Sequence, residues 1–243
     1  MTSNQTKPKI VVMVPARTGS KRVKSKNLRF LDGKPLISYV LNTVRGMQQF
    51  DHLYLNSDGE VFRQIAQDHG FQFYHRDAEL ANDTATNDAF GYDFLKHVDC
   101  DYLLQVLPTS PFITAEEIMA FTDHMVTRDL DALISVEPHQ IACVYNGEAI
   151  NFHKDKVNPP SQDMHPVYSY ATVLMGWKRD AFMKNYEDLG VAYHSPRGKV
   201  DYFPIMGISA IDIDNEEDFL LAEAIMQAKS HISSAEPQYY KET

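Results

Sequence analysis

The chain is 243 residues long, 44% hydrophobic and 23% charged, which fits one large globular domain with a substantial core and excludes three or more independent domains. Its formal net charge of -10 argues against sequence-independent binding to nucleic acid or anionic lipid, both of which need positive surface. Two cysteines, Cys100 and Cys143, are too few for a disulfide framework or a zinc ribbon, so a reduced, cytoplasmic setting is expected.

Residues 1–9 are polar, and the first apolar run is too short for a signal-peptide core. No stretch approaches the ~20 apolar residues of a membrane span, so the protein is expected to be soluble with no membrane partner. Residues 9–15, Lys-Ile-Val-Val-Met-Val-Pro, read as a parallel strand covered on both faces. The strand opens into a basic segment. Between Arg17 and Lys34, seven cations (Arg17, Lys21, Arg22, Lys24, Lys26, Arg29, Lys34) face one acid, Asp32, so these 18 residues carry +6 and the other 225 carry -16.

Asp32-Gly33 predicts a turn, and Pro35 suits the first turn of a helix whose Leu36, Ile37, Val40, Leu41 and Val44 recur at helical spacing. The alternation continues with strands at 52–55, 71–74, 102–107 and 132–136, and helices at 60–69, 87–97 and 114–127. This predicts an α/β fold, a mostly parallel sheet flanked by helices. After Glu137 the rhythm changes. Residues 143–153 read as a hairpin turning at Asn146-Gly147, 158–163 as a loop, 168–177 as a strand and 179–186 as a short helix. A strand at 200–205 and an amphipathic helix at 215–228 follow, and residues 230–243 read as a loose polar tail.

In open α/β sheets ligands bind beyond the C-terminal ends of the strands, where the segment 14–27 lies. Backbone amides around Gly19 and Ser20 are expected to cradle phosphate oxygens while Arg17, Lys21 and Lys26 neutralise them. The competing reading, a solvated basic loop, is outweighed by the segment's position and its contrast with an acidic chain. Neither a Walker GxxxxGK[ST] loop nor a GxGxxG fingerprint is present. In Ala210-Ile-Asp-Ile-Asp214 an extended backbone puts Asp212 and Asp214 on one face, a pair of carboxylates suited to Mg²⁺. Asp214 also qualifies as a helix N-cap with Glu217 three residues on, and the two roles are compatible. Leu107-Pro-Thr-Ser-Pro-Phe112 closes a strand ahead of a helix, and Arg76 in the polar loop 75–86 is placed to meet a base or a carboxylate. No HExxH, GxSxG or zinc spacing occurs. Met175, Trp177 and Met206 are assigned to the core.

Taken in order, these motifs resemble the cytidylyltransferases that activate nonulosonic sugar acids, the CMP-sialic acid synthetases with their CMP-pseudaminic and CMP-legionaminic relatives. The resemblance spans residues 10–226. Its anchors are Pro15-Ala-Arg-Thr-Gly-Ser-Lys21 with Lys26-Asn27, Asp32-Gly-Lys-Pro-Leu36, Ser57-Asp58, Arg76-Asp-Ala-Glu-Leu80 with Asp83-Thr84, Pro108-Thr-Ser-Pro111, and Asp212-Ile-Asp214 with Glu216-Glu-Asp218. Lys24 stands where the family loop commonly has Pro, and Leu107, Phe112 and Ile113 depart from the sialic-acid enzymes; Phe112 and the stretch from Ser161 to Tyr168 are closer to the pseudaminic branch, from which Tyr170-Ala-Thr-Val173 departs in turn.

The resemblance implies a Rossmann-like nucleotidyltransferase domain over 1–229 with a mixed sheet, a dimerisation lobe at 138–190, and a homodimer. It implies Lys21 and Lys26 as catalytic residues on the CTP triphosphate and Arg17 beside the reacting phosphate. Ala16, Asn27, Arg76, Ala85 and Asn87 fall where the family contacts the cytidine half, and Ser20 is placed with the nucleotide-binding residues. Leu107, Thr109, Ser110, Gln162, Tyr168 and Tyr170 fall on the sugar side, and Asp212 and Asp214 at the Mg²⁺. The implied reaction joins CTP and a nine-carbon sugar acid into a CMP-sugar and pyrophosphate, for cell-surface polysaccharide biosynthesis. A nucleotide-sugar glycosyltransferase and a catalytically silent nucleotide-binding module are the weaker alternatives, and no residue is assigned as general base.

Overall fold

The structure, a computed structural model, describes residues 7–231. The first strand, β1 (Ile10–Pro15), lies near the middle of the main sheet. The basic segment follows and ends in a small hairpin, β2 (Phe30–Leu31) and β3 (Lys34–Pro35). Asp32 at φ +45° and Gly33 at φ +77° make the turn, and the two positive φ values give the twist a tight hairpin needs.

Helix α1 (Leu36–Arg45) leads to β4 (His52–Ser57), α2 (Val61–Asp68) and β5 (Gln72–His75). Then come α3 (Asn87–His97), β6 (Tyr102–Val106), α4 (Ala115–Thr127) and β7 (Ala132–His139). A second small hairpin, β8 (Val144–Tyr145) and β9 (Glu148–Ala149), turns at the expected Asn146-Gly147, both residues at positive φ. The chain closes with β10 (Val167–Lys178), α5 (Arg179–Leu189), β11 (Val200–Pro204) and α6 (Glu216–His231).

Seven strands form the main sheet in the order β11-β7-β10-β6-β1-β4-β5. All neighbouring pairs are parallel except β10, which runs antiparallel to both β6 and β7. Of the expected 138–190 lobe, residues 167–189 thus belong to the main sheet and its helical layer as β10 and α5, and the excursion proper is 140–166.

Alternation along β1 divides the core. Val12 and Val14 pack with Ile37, Phe62 and Phe121 on one face, Val11 and Met13 with Phe94, Trp177 and Phe182 on the other. At the opposite end of the strands, aspartates satisfy open amides: Asp51 accepts from Ile10 N (2.7 Å), Asp101 from Lys9 N (2.6 Å) and Asp131 from Lys199 N (2.7 Å).

Met175 and Trp177 are buried, but Met206 is 67% exposed, because it precedes a short 3-10 turn at the molecular surface and not a strand. Residues 230 and 231 of the expected tail belong to α6, and 232–243 lie outside the described residues. Among the described residues no helix is long and apolar enough to cross a membrane.

Candidate active site

The cavity at the C-terminal edge of β1, about 450 Å³, is walled on one side by the basic segment. Where β1 ends, Ala16 N donates to Asn56 O at 2.9 Å and carries the chain outward. Asp58, just past β4, then pins Thr18 by accepting from its N–H (3.0 Å) and its hydroxyl (2.5 Å). Ser20 N–H, expected to cradle phosphate, donates to Thr18 O at 3.0 Å in this conformation. A left-handed Ser25 (φ +50°) turns the chain into a 3-10 turn, Lys26–Leu28, where Asn27 is buried with its Oδ1 unpartnered.

Lys26 reaches across the cavity to the last loop, donating to Ile213 O and to Asp214 Oδ1 (3.2 Å). Arg22 reaches the same Asp214 oxygen at 3.0 Å. Ile213 is fully buried and its N–H donates to Thr109 O (2.9 Å), while Asp212 and Asp214 line the cavity on either side of it. Ala210, in the run expected to be extended, instead ends a 3-10 turn, Gly207–Ala210, and the backbone is extended at Ile211 after it.

The expected cap does not form. Asp218 Oδ2 accepts from Asp214 N and Asn215 N, and Asp218 N donates to Asn215 Oδ1 (3.0 Å). The helix therefore begins one residue later than a cap at Asp214 requires, and the Asp214 carboxylate is left to the cations.

The facing wall is the loop between β5 and α3. Arg76 is 4% exposed, with Nε donating to Asn56 Oδ1 (2.7 Å), Nη2 to Asn56 O (3.0 Å) and its guanidinium 4.2 Å over the Phe90 ring. Burial lowers its pKa to about 10; Asp58 pulls it up and Arg17 pushes it further down. Asp83 takes Lys21 and, at 3.5 Å, Arg17, and the Lys21 hydrogen bond holds its carboxyl below the usual range. Thr86 caps α3 by accepting from Ala89 N at 3.1 Å, so Asn87 opens a helix whose N-terminal end meets the cavity.

Asp212 is held above the usual carboxylate range, first by burial and then by Asp214, against the hydroxyls of Thr109 and Thr172 and the charge of Lys26. Its Oδ2 accepts from Thr172 (3.0 Å) and its Oδ1 is buried without a partner. Among the described residues no group of three or more His, Cys, Asp or Glu is placed to hold a metal alone.

Of the predicted residues, Arg17, Ser20, Lys21, Lys26, Asn27, Arg76, Ala85, Asn87, Leu107, Thr109, Asp212 and Asp214 line one cavity. Ala16 lies buried behind it, and Ser110 is fully buried with an unpartnered hydroxyl. Gln162, Tyr168 and Tyr170 are not brought in. Gln162 sits in a 3-10 turn of the excursion, Tyr168 pairs with Pro138 on β7, and the Tyr170 ring lies 5.5 Å from His194 and 6.3 Å from Tyr202. Phe90 beneath Arg76 and Thr172 beside Asp212 carry no site signal in the sequence. Both stand in stretches that read as ordinary helix and strand.

The Cytidylyltransferase family matches residues 11–238. The N-acylneuraminate cytidylyltransferase of Escherichia coli is 26% identical over 91% of this chain and 53% of that protein, so the chain spans about half the length of such relatives. The post-translational flagellin modification protein B of Campylobacter coli is 27% identical over 91% of this chain and 96% of its own. The CMP-N,N'-diacetyllegionaminic acid synthase of Legionella pneumophila is 32% identical over 54% of this chain and 58% of its own. Among solved structures, CMP:2-keto-3-deoxy-manno-octonic acid synthetase complexed with CTP superposes with a TM-score of 0.68 at 16% identity, covering 91% of this chain and 99% of that one. The 4-diphosphocytidyl-2C-methyl-D-erythritol synthase of Anaerococcus prevotii has a TM-score of 0.66 at 16% identity over 90% and 96%. These structures share the fold, a Rossmann-like nucleotidyltransferase sheet, and the sequence match runs through both walls of the cavity and nearly the whole chain. The chain belongs to the cytidylyltransferase family.

Proposed function

We propose that this protein transfers the cytidylyl group of CTP to the anomeric hydroxyl of a nonulosonic sugar acid. The bond from the anomeric oxygen to the α-phosphorus forms as the bond to the departing pyrophosphate breaks. The observation that carries this reading is one cavity lined by Arg17, Lys21, Arg22 and Lys26 together with Asp212 and Asp214, with buried Arg76 in the facing wall. The names of the relatives supply the substrate class.

Four cations on one wall suit a triphosphate and its developing charge, held by positions set before the reaction begins. Lys26, 12% exposed at its side chain and tied to Ile213 O, is the most buried of them and holds the phosphates against the Asp212 loop. Arg17 and Lys21, now on Asp83, exchange that carboxylate for phosphate oxygens. The residues present fit Mg²⁺: two carboxylates, one with a buried and unpartnered oxygen, make a partial ligand set of the kind Mg²⁺ completes with phosphate and water. When bound, the ion supplies charge neutralisation and alignment of the phosphate oxygens.

The excursion at 140–166 supports a homodimer, for it exposes Ile141, Val144, Tyr145, Ile150 and the 99% exposed Val157, an apolar surface suited to a second copy.

The test is pyrophosphate release with CTP and Mg²⁺ against sialic, pseudaminic and legionaminic acids and Kdo, with ATP in place of CTP as control. Release with CTP and a nine-carbon acid, and none with ATP, is expected. No release with any acid despite CTP binding overturns the reading.

A further inference from the structure

Thr172 has a backbone that strands do not use. Its φ is +52° in the middle of β10, a left-handed conformation that is an outlier for a β-branched residue. The cause is visible in the strand pairing. Tyr170 sits opposite Val136 and Met175 opposite Ile134, so β10 advances five residues while β7 advances two. The surplus bulges toward the end of β6, where Leu107 N donates to Val173 O at 3.0 Å.

The bulge puts the Thr172 hydroxyl 3.0 Å from Asp212 Oδ2 and 2.8 Å from its neighbour's carbonyl, Ala171 O. A hydroxyl has one proton, and an ionised carboxylate is the stronger acceptor. Asp212 is thereby held at Oδ2, the Thr109 hydroxyl also acts on its carboxylate, its chain neighbour Ile213 is tied to Thr109 O at 2.9 Å, and Oδ1 is buried with no hydrogen bond in this conformation. Glycine would accept this backbone without strain but has no hydroxyl. A threonine at such a position is explained by what its side chain does.

We propose that Thr172 is a positioning residue for Asp212. Its hydroxyl locks the carboxylate so that Oδ1 faces a divalent cation held with the nucleotide, and the left-handed backbone is the device that delivers the hydroxyl. This rests on the reading of Asp212 as a cation ligand given above. It also accounts for Tyr170-Ala-Thr-Val173, one of the runs at which the chain leaves the pattern it resembles.

Two measurements on the full chain test it, and neither depends on turnover. Mn²⁺ binding in the presence of CTP, followed by electron paramagnetic resonance, should be unchanged within about twofold in Thr172→Ser. It should weaken about tenfold in Thr172→Val and Thr172→Ala, which lose a hydrogen bond to a charged group. In the metal-free, nucleotide-free protein, Thr172→Gly should melt above Thr172→Ala, the reverse of their order at an ordinary strand position.

Parental Mn²⁺ affinity in Thr172→Val overturns the positioning role, and Thr172→Gly melting below Thr172→Ala overturns the strained backbone. A parent that binds Mn²⁺ with CTP yet releases no pyrophosphate sinks the proposed reaction while the valine comparison still decides on Thr172. A parent with no nucleotide-dependent Mn²⁺ binding sinks this proposal.

Discussion

Arg76→Gln should make the protein more stable and less able to bind CTP. Arg76 is 4% exposed, and burial lowers its pKa from the ordinary guanidinium value to about 10. At about 1.4 kcal/mol per tenfold, the cationic side chain costs the folded state on the order of 3 kcal/mol. That cost is present in full at any pH below the folded value and disappears only above the unfolded one, so it applies throughout the neutral range. Glutamine removes the charge and keeps a donor for Asn56 Oδ1, giving up the second hydrogen bond, to Asn56 O, and the stacking over Phe90. These losses are worth roughly 1–2 kcal/mol together. A net gain of about 1 kcal/mol remains, or about 2–4 °C in melting temperature for a chain of this size. Titration calorimetry with CTP and Mg²⁺ should meanwhile show affinity reduced about tenfold or more, since a desolvated cation lining the nucleotide cavity is lost. A variant that melts several degrees below the parent would refute the energetic argument and show that the field of Asp58 outweighs burial. Unchanged CTP affinity would remove Arg76 from the site.

Three further outcomes follow from the geometry. Gly59→Ala adds a Cβ that overlaps Thr18 Cγ2 and crowds the buried Phe62 ring, so Thr18 must give way at its anchor on Asp58; CTP affinity should fall about tenfold, and parental affinity would count against the anchor. Asp83→Asn removes the carboxylate that occupies Lys21 and Arg17 and should tighten CTP binding modestly, about two- to fivefold for exposed pairs, with weaker binding contradicting the exchange. Asp201 is held below the ordinary carboxylate range chiefly by the His124 hydrogen bond at 2.8 Å, with Arg128 at 3.1 Å adding to it. Its contribution to stability is therefore present above the unfolded value of ~3.9 and lost as pH falls through the lower folded value. Denaturation midpoints of parent and Asp201→Asn should differ at neutral pH and converge in strong acid; a constant gap would refute the linkage.

Much of this protein is written in short-range signals. The β-branched run of β1, the turns at Asp32-Gly33 and Asn146-Gly147, the helical spacing of α1 and the capped start of α4 are each decided within a few residues, by sterics and periodicity. So is the charge contrast between the segment after β1 and the acidic remainder, and the alternation that turns Asp212 and Asp214 to the same side.

Other features depend on partners far apart in the chain. Arg76 is buried because Asn56 and Phe90, 20 and 14 residues away, close over it. Asp58 pins Thr18 across 40 residues, and Thr172 meets Asp212 across another 40. Met206 reads as core yet faces solvent, and the helix cap falls on Asn215 and not Asp214 once Arg22 and Lys26 claim the latter's carboxylate. Local sequence suffices to say which residue types meet at the edge of the sheet. Which of them are desolvated, which are strained and which oxygen is left without a partner follows from the folded arrangement, because burial and long-range hydrogen bonding arise when strands distant in sequence become neighbours.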